Sequence, residues 1–237
     1  MTRCIVLLLM ALCAATGAVA AEPQEGDAPA AAPAPATETG EARAYLGFGL
    51  LAASHTLSSP LGDFDSSGGG LIANGVGHSR PLNPSLDIAF RGEVALMGRE
   101  FDGGGPETAD VLFEVDGGLR ISQMLLLTLG YTTQVIAYDS PEVAVTYNVI
   151  PIGVGILHTT DSGYVLAQLR VGGGRLGNDQ NDDTESVGYA GIRAVVQHGF
   201  GSGVQFMLGL GLDNYEIDDT GEEEQFFRLE FGLGFGI

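Results

Sequence analysis

The chain contains no tryptophan and no lysine; its ten basic residues are all arginine, set against 30 acids. The resulting net charge of −20 excludes a nucleic-acid binder, which needs basic patches to neutralise phosphates. Cysteine is nearly absent as well. Cys4 and Cys13 both lie in the first segment, so no disulfide or thiolate metal site can form in the rest. Long apolar runs are scarce: a helical span needs about 20 apolar residues, and the single candidate stretch sits at the N-terminus. Wholesale disorder is excluded in turn, because 45% of the residues are hydrophobic. What the chain has in quantity is glycine, 37 of 237 residues, roughly twice the usual share. These features together point to a compact, β-rich domain that is both apolar and acidic.

The N-terminal run reads as an export signal. Arg3 supplies the charged start, Ile5 to Ala20 are free of charge, and Ala18-Val19-Ala20 fits a small-residue cleavage site before Ala21. Leu12 precedes Cys13, which argues against an acylated cysteine. Residues 21–43 hold four prolines, five acids and no large apolar side chain, so they predict a disordered, partly polyproline linker.

From Ala44 the hydropathy has period two, the signature of strands. Asp87, Arg91, Glu93 and Arg99 share one face; Ile88, Phe90, Val94 and Leu96 share the other. Asp110, Glu114, Asp116 and Arg120 oppose Val111, Phe113, Val115 and Leu119. Near the C-terminus, Arg228 and Glu230 oppose Phe227, Leu229, Phe231, Leu233 and Phe235. Alternation of this kind also suits a soluble sandwich with its apolar face inward. Three features favour the inverted arrangement. The segments run to about a dozen residues, enough to cross a bilayer at a tilt, which takes about 9–11. The polar face mixes arginine, acids and glycine, as the crowded bore of a small barrel would. The connections also read as alternately short and long.

Ten segments are expected, at 44–57, 68–79, 85–100, 108–119, 123–137, 143–157, 163–175, 186–197, 203–217 and 224–237. Short links fall near 81–84, 121–122, 159–162 and 199–203. Longer or more acidic ones fall at 58–67, 101–107, 138–142, 176–185 and 218–223. The second segment is weak, and Pro151 inside the sixth suggests a bulge; without those two the count is eight. The expected fold class is an all-β, closed antiparallel up-and-down transmembrane β-barrel.

The chain closes on Glu230, Gly232, Phe235 and Ile237, with the spacing polar, any, Gly, two of any kind, aromatic, any, apolar. This resembles the C-terminal assembly signal of outer-membrane proteins, with Ile237 where a terminal Phe is usual. With the export signal and paired strands, residues 44–237 resemble the small bacterial outer-membrane β-barrels of the OmpA/OmpW-like group. The resemblance implies a Gram-negative outer-membrane location, contact with lipid and lipopolysaccharide, and recognition of the last strand by the barrel assembly machinery. It says little about activity, and the sequence sets no oligomeric state.

Parity aims Arg91, Arg99, Arg120, Arg170, Arg193 and Arg228 into the lumen, together with Asp87, Glu93, Glu114, Asp116, Asp213 and Glu230. Six cations facing six anions predict mutual pairing, since buried charges persist only when paired. The network reads either as a salt-bridged plug or as the selectivity filter of a narrow porin-like channel. Asp179, Asn181 and Asp183 open like a calcium loop, but Thr184 and Ala190 stand where it needs Gly and Glu. Neither a metal nor a cofactor is therefore expected. The acids Glu222–Glu224 read as a solvated run. Four histidines occur, His55, His78, His158 and His198, with Ser54 and Ser58 near His55 and Ser79 after His78. Some outer-membrane barrels deacylate lipid A with a His/Ser/acid set, and omptin-type proteases use an Asp/His site at the rim. Neither local motif is recognisable, so the sequence favours a structural or surface protein or a narrow channel over an enzyme; the alternative is a lipid A-modifying or other outer-membrane enzyme. Gly68–Gly70 and Gly172–Gly174 are not phosphate loops and predict kinked or crowded strands.

Overall fold

A computed structural model describes residues 41–237 except 61, 84, 103–106, 140–141, 180, 200–202 and 219; of 181–183 it describes the backbone alone. The expected export signal and all but the last residues of the linker lie outside the described residues. Ten strands follow in order: β1 (Arg43–Ser59), β2 (Gly62–His78), β3 (Leu86–Phe101), β4 (Glu107–Ile121), β5 (Leu125–Asp139), β6 (Glu142–Thr160), β7 (Gly163–Asn178), β8 (Asn181–Gly199), β9 (Gln205–Ile217) and β10 (Glu222–Gly236). Arg43, expected at the linker's end, already belongs to β1.

Each strand pairs antiparallel with its chain neighbours, and β1 pairs with β10, so the sheet closes on itself. The seam runs from Tyr45↔Gly236 to Ser58↔Glu223. Closure satisfies every edge, which is what allows β-structure to stand in hydrocarbon. The weak second segment is a full strand, paired with β1 from Arg43↔His78 to Ser59↔Gly62.

Three expectations need correction. The links do not alternate between short and long. At the end where β1 begins and β10 ends they span 79–85, 122–124, 161–162 and 200–204; at the far end they span 60–61, 102–106, 140–141, 179–180 and 218–221. Residues 62–67 and 181–185, expected in loops, are strand. Pro151 causes no bulge either. Toward β5 the pairing drops out beside it, yet Leu129↔Ile152 and Thr132↔Val149 keep one register, and toward β7 Pro151↔Gly172 pairs in step. The missing N–H opens the ladder locally without inserting a residue. The register shift falls instead at Gly177/Asn178.

The wall carries two different tiers. Near the termini and through the middle, the outer surface is a belt of exposed apolar side chains that includes Phe48, Leu71, Phe90, Leu96, Phe113, Leu129, Ile152, Val171, Leu208 and Phe231. Side chains of alternate parity point inward and carry the buried charges. Toward the far end the pattern reverses. On β9, Leu208, Leu210 and Leu212 face out, then Asn214 and Glu216; Tyr215 and Ile217 are buried inside. There the interior is an aromatic and aliphatic core of Ile136, Tyr147, Val149, Val187, Tyr189, Tyr215, Ile217 and Phe226. The apolar-out tier is the inside-out arrangement of a transmembrane barrel. The far tier is built as a small water-soluble barrel would be.

Candidate functional site

The strand parity that turns Phe90 and Phe231 outward turns Arg91 and Glu230 inward, and all twelve charges expected in the lumen are buried. Four arginines from β3, β7, β8 and β10 interlock at its centre. Arg91 reaches Asp116 at 2.7 Å, Glu114 at 2.6 Å and Glu93 at 3.3 Å. Arg170 bridges Glu114 and Asp213, each at 3.0 Å. Arg193 pairs with both Glu93 and Glu230. Arg228 bonds Asp213 at 2.5 Å and Glu93 at 2.7 Å, and lies 3.4 Å from Glu114. Tyr189 donates its hydroxyl to Asp213 at 2.5 Å. Several of the pairs join strands that are not neighbours: Arg193 to Glu93 links β8 to β3, and Arg228 to Glu114 links β10 to β4. The cluster therefore spans the bore.

Two arginines stand apart from this centre. Arg120 forks onto Asp87, with Nη2 at 2.6 Å, and donates to Thr159 at 2.9 Å. That pair lies toward the termini, where His78 also bonds Thr159 at 3.0 Å. Arg99, toward the far end, pairs with Asp110 at 2.7 Å and donates to Ser66 at 2.8 Å. Its guanidinium also lies over the Phe226 ring, 5.3 Å from the centroid.

Room for these side chains comes from inward-facing glycines. A Cβ on Gly209 would stand 2.4 Å from Glu230 Oε2, and one on Gly130 would stand 2.0 Å from Asp116 Oδ1. The glycine runs matter differently. A Cβ on Gly70 or Gly174 would meet the carbonyl of the adjacent strand at 1.8 Å, so the backbones crowd there as expected. A cavity of about 10 Å³, lined by residues including Val76, Ala89, Arg91, Asp116 and Gln168, matches a single water.

The balance of six against six needs amending. Among the described residues, Asp110 and Glu224 are also buried, giving eight acids for six arginines. Asp110 shares the parity of Glu114 and Asp116, and Glu224 that of Arg228 and Glu230, so period two carried both signals. Glu224 is thus not part of a solvated run; it bonds His55 at 3.1 Å. Ser54 and Ser58 lie on the face of β1 opposite to His55, whose serine neighbour is Ser66, at 3.3 Å. His78 bonds the Ser79 carbonyl, not its hydroxyl. The side chains of Asn181 and Asp183 lie outside the described residues. Among those described, no group of three His, Cys, Asp or Glu could hold a metal.

The residues of the expected assembly signal divide by face. Glu230 points into the ion cluster, Gly232 lies against β1, and Phe235 and Ile237 are exposed on the outside, at 43% and 75%.

No protein-family model matches the chain, and no curated protein matches it. Solved outer-membrane structures do. The outer membrane protease OmpT from Escherichia coli is 10% identical over 85% of this chain and 100% of its own, with a TM-score of 0.45. An outer membrane channel from Pseudomonas putida F1 is 11% identical over 91% of this chain and 100% of its own, at a TM-score of 0.44. Ail, the attachment invasion locus protein of Yersinia pestis, is 12% identical over 82% of this chain and 99% of its own, at 0.33. A protease, a channel and an attachment protein share no single role, and at these values the likeness carries no argument about one.

Proposed function

We propose that the protein is a bacterial outer-membrane barrel, exported through its N-terminal signal, whose bore is closed by ion pairs and which serves a structural or surface role. The observation that carries this reading is the central cluster. Arg91, Arg170, Arg193 and Arg228 tie β3, β4, β7, β8, β9 and β10 together across the lumen. A selectivity filter needs an open path beside its charges, whereas here each arginine is committed to two or three carboxylates. A ten-strand bore also lies between the side-chain-filled eight-strand barrels and the open sixteen-strand porins. In this reading the apolar belt meets lipid and the acidic far end faces outward beside lipopolysaccharide. The last strand, with Phe235 and Ile237 outward, is read by the assembly machinery. The test is single-channel recording on refolded protein in planar bilayers. Wild type should show small conductance or none, and Arg193→Ala should introduce a leak. A large, steady wild-type conductance that Arg193→Ala leaves unchanged would establish an open pore instead.

A further inference from the structure

Among the described residues, Arg175 on β7 is the only cation on the outer wall of the far tier. It is exposed, and no described carboxylate pairs with it. Its neighbours in register are neutral and polar, Asn148 on β6 and Ser186 on β8. Asn148 also marks where the apolar belt ends. Its Oδ1 lies 2.6 Å from the hydroxyl of Tyr131, whose ring is 40% exposed on β5. A tyrosine with its ring on an apolar wall and its hydroxyl among polar groups sits at headgroup level.

One step from Arg175 toward the belt, the outer wall is bare. Ile150 pairs with Gly173, Gly173 with Gly188, and Gly188 with Glu216. Packing does not require these two glycines. A Cβ on Gly173 would meet nothing nearer than 3.4 Å, and one on Gly188 nothing nearer than 3.8 Å. Neither has a positive φ. Glycine weakens a strand, and one use for it there is the close approach of a ligand to the backbone. From Ile150 to Glu216 the gap covers three strand spacings, about 14 Å. On its β9 side, Glu216 stands directly across from Glu223 on β10, and both are exposed. Like charges opposite each other destabilise a sheet, and among the described residues no cation pairs with either.

We propose that this gap holds the zwitterionic headgroup of a membrane lipid, a phosphate followed by a primary ammonium. The inference rests on the reading of the belt as the lipid-facing surface. The phosphate takes charge-assisted bonds from Arg175, with Asn148 and Ser186 as further donors. The headgroup crosses the bare backbone of Gly173 and Gly188, and its ammonium donates to Glu216 and Glu223. An acyl chain then runs down the wall over Ile152 and Val171, which pair in register and are each 63% exposed. A cation at one edge of the gap and two acids at the other select against other headgroups. An anionic headgroup without an amine leaves the acids unneutralised, and a trimethylated ammonium has no N–H to donate.

The test uses the full-length barrel in detergent micelles and native mass spectrometry. Phosphatidylethanolamine, phosphatidylglycerol and phosphatidylcholine of the same acyl chains are added in turn. Wild type should retain one phosphatidylethanolamine at a lipid concentration about 10-fold lower than it needs for either of the others, the worth of one charge-assisted hydrogen bond. Arg175→Gln should weaken that retention by a similar factor. Glu216→Gln combined with Glu223→Gln should erase the preference over phosphatidylglycerol. Heat-modifiable migration shows whether each variant is folded; if Arg175→Gln is not, Gly173→Val, which fills the gap, is read in its place and should likewise weaken retention. Equal retention of phosphatidylethanolamine and phosphatidylglycerol by wild type, or wild-type retention by the folded variant read, overturns the proposal. Flotation with vesicles is measured alongside. A wild type that does not float contradicts the outer-membrane reading itself, whereas flotation without a headgroup preference overturns this site alone.

Discussion

Leu212 and Asn214 are successive outward residues of β9, and Asp213 and Tyr215 are successive inward ones. Across that single step the two faces exchange character. Below it, apolar side chains face out and ion pairs fill the bore; above it, polar side chains face out and tyrosines pack inside. Tyr147 and Tyr215 lie 4.6 Å apart, centroid to centroid, and Tyr189 and Tyr215 5.3 Å apart. The same backbone ladder runs through both tiers, so backbone hydrogen bonding does not account for the difference. The surrounding medium does: an apolar exterior is stable in hydrocarbon and costly in water. The interior follows from the exterior only in part. The lower tier holds apolar packing too, with Tyr45 against Tyr164 at 5.3 Å between centroids, but there the ion pairs that join non-neighbouring strands close the bore.

The largest effect should come from breaking the lower interior. Arg193→Ala leaves Glu93 and Glu230 without that partner, and removing one member of a buried pair costs about 3–5 kcal/mol. Denaturant unfolding from detergent should register that loss, whereas Arg175→Ala, exposed on β7 in the upper tier, should leave the midpoint unchanged. A next, smaller effect tests the exteriors. Leu208→Arg places a charge in the belt, at a cost of about 2–4 kcal/mol near the midplane. Gln205→Arg, facing the lumen, and Asn214→Arg, outward in the upper tier, should be far better tolerated. Equal refolding yields in lipid vesicles for all three would break the assigned faces. Removing Phe235-Gly236-Ile237 should lower the surface level in cells, since it frays the seam with β1 and deletes the aromatic end of the last strand. Removing residues 21–41 should not, and a reversed outcome would move the assembly information into the linker. Smallest of all should be Tyr215→Phe. It gives up one long bond to Gln134 at 3.4 Å but keeps the ring packing, so unfolding should shift by less than about 1 kcal/mol.

Strand number and facing were legible because a closed barrel in lipid forces strict alternation over long segments. All twelve expected lumen positions follow from parity alone. The far-end strand extensions were hidden by the reversal itself. Once the exterior turns polar, short stretches such as Asp63–Ser67 and Thr184–Glu185 look like loops to any reading that expects apolar residues outside. Glu224 was masked by Glu222 and Glu223, whose charges make the run look uniformly solvated. The nearness of His55 to Ser66 could not be read at all, because it depends on inter-strand register rather than spacing along the chain. Pro151 misled in the opposite sense. Its lost N–H is real, but the closed sheet holds the strand in step from its β7 side.

The absence of native tryptophan allows the two-tier account to be tested directly. Leu208→Trp and Glu216→Trp each create a single fluorophore, one outward in the belt and one outward in the upper tier, on the same strand. In vesicles containing brominated lipid, the account requires strong quenching and blue-shifted emission at position 208, with little quenching and water-like emission at position 216. Equal quenching at both positions, or stronger quenching at 216, would contradict it.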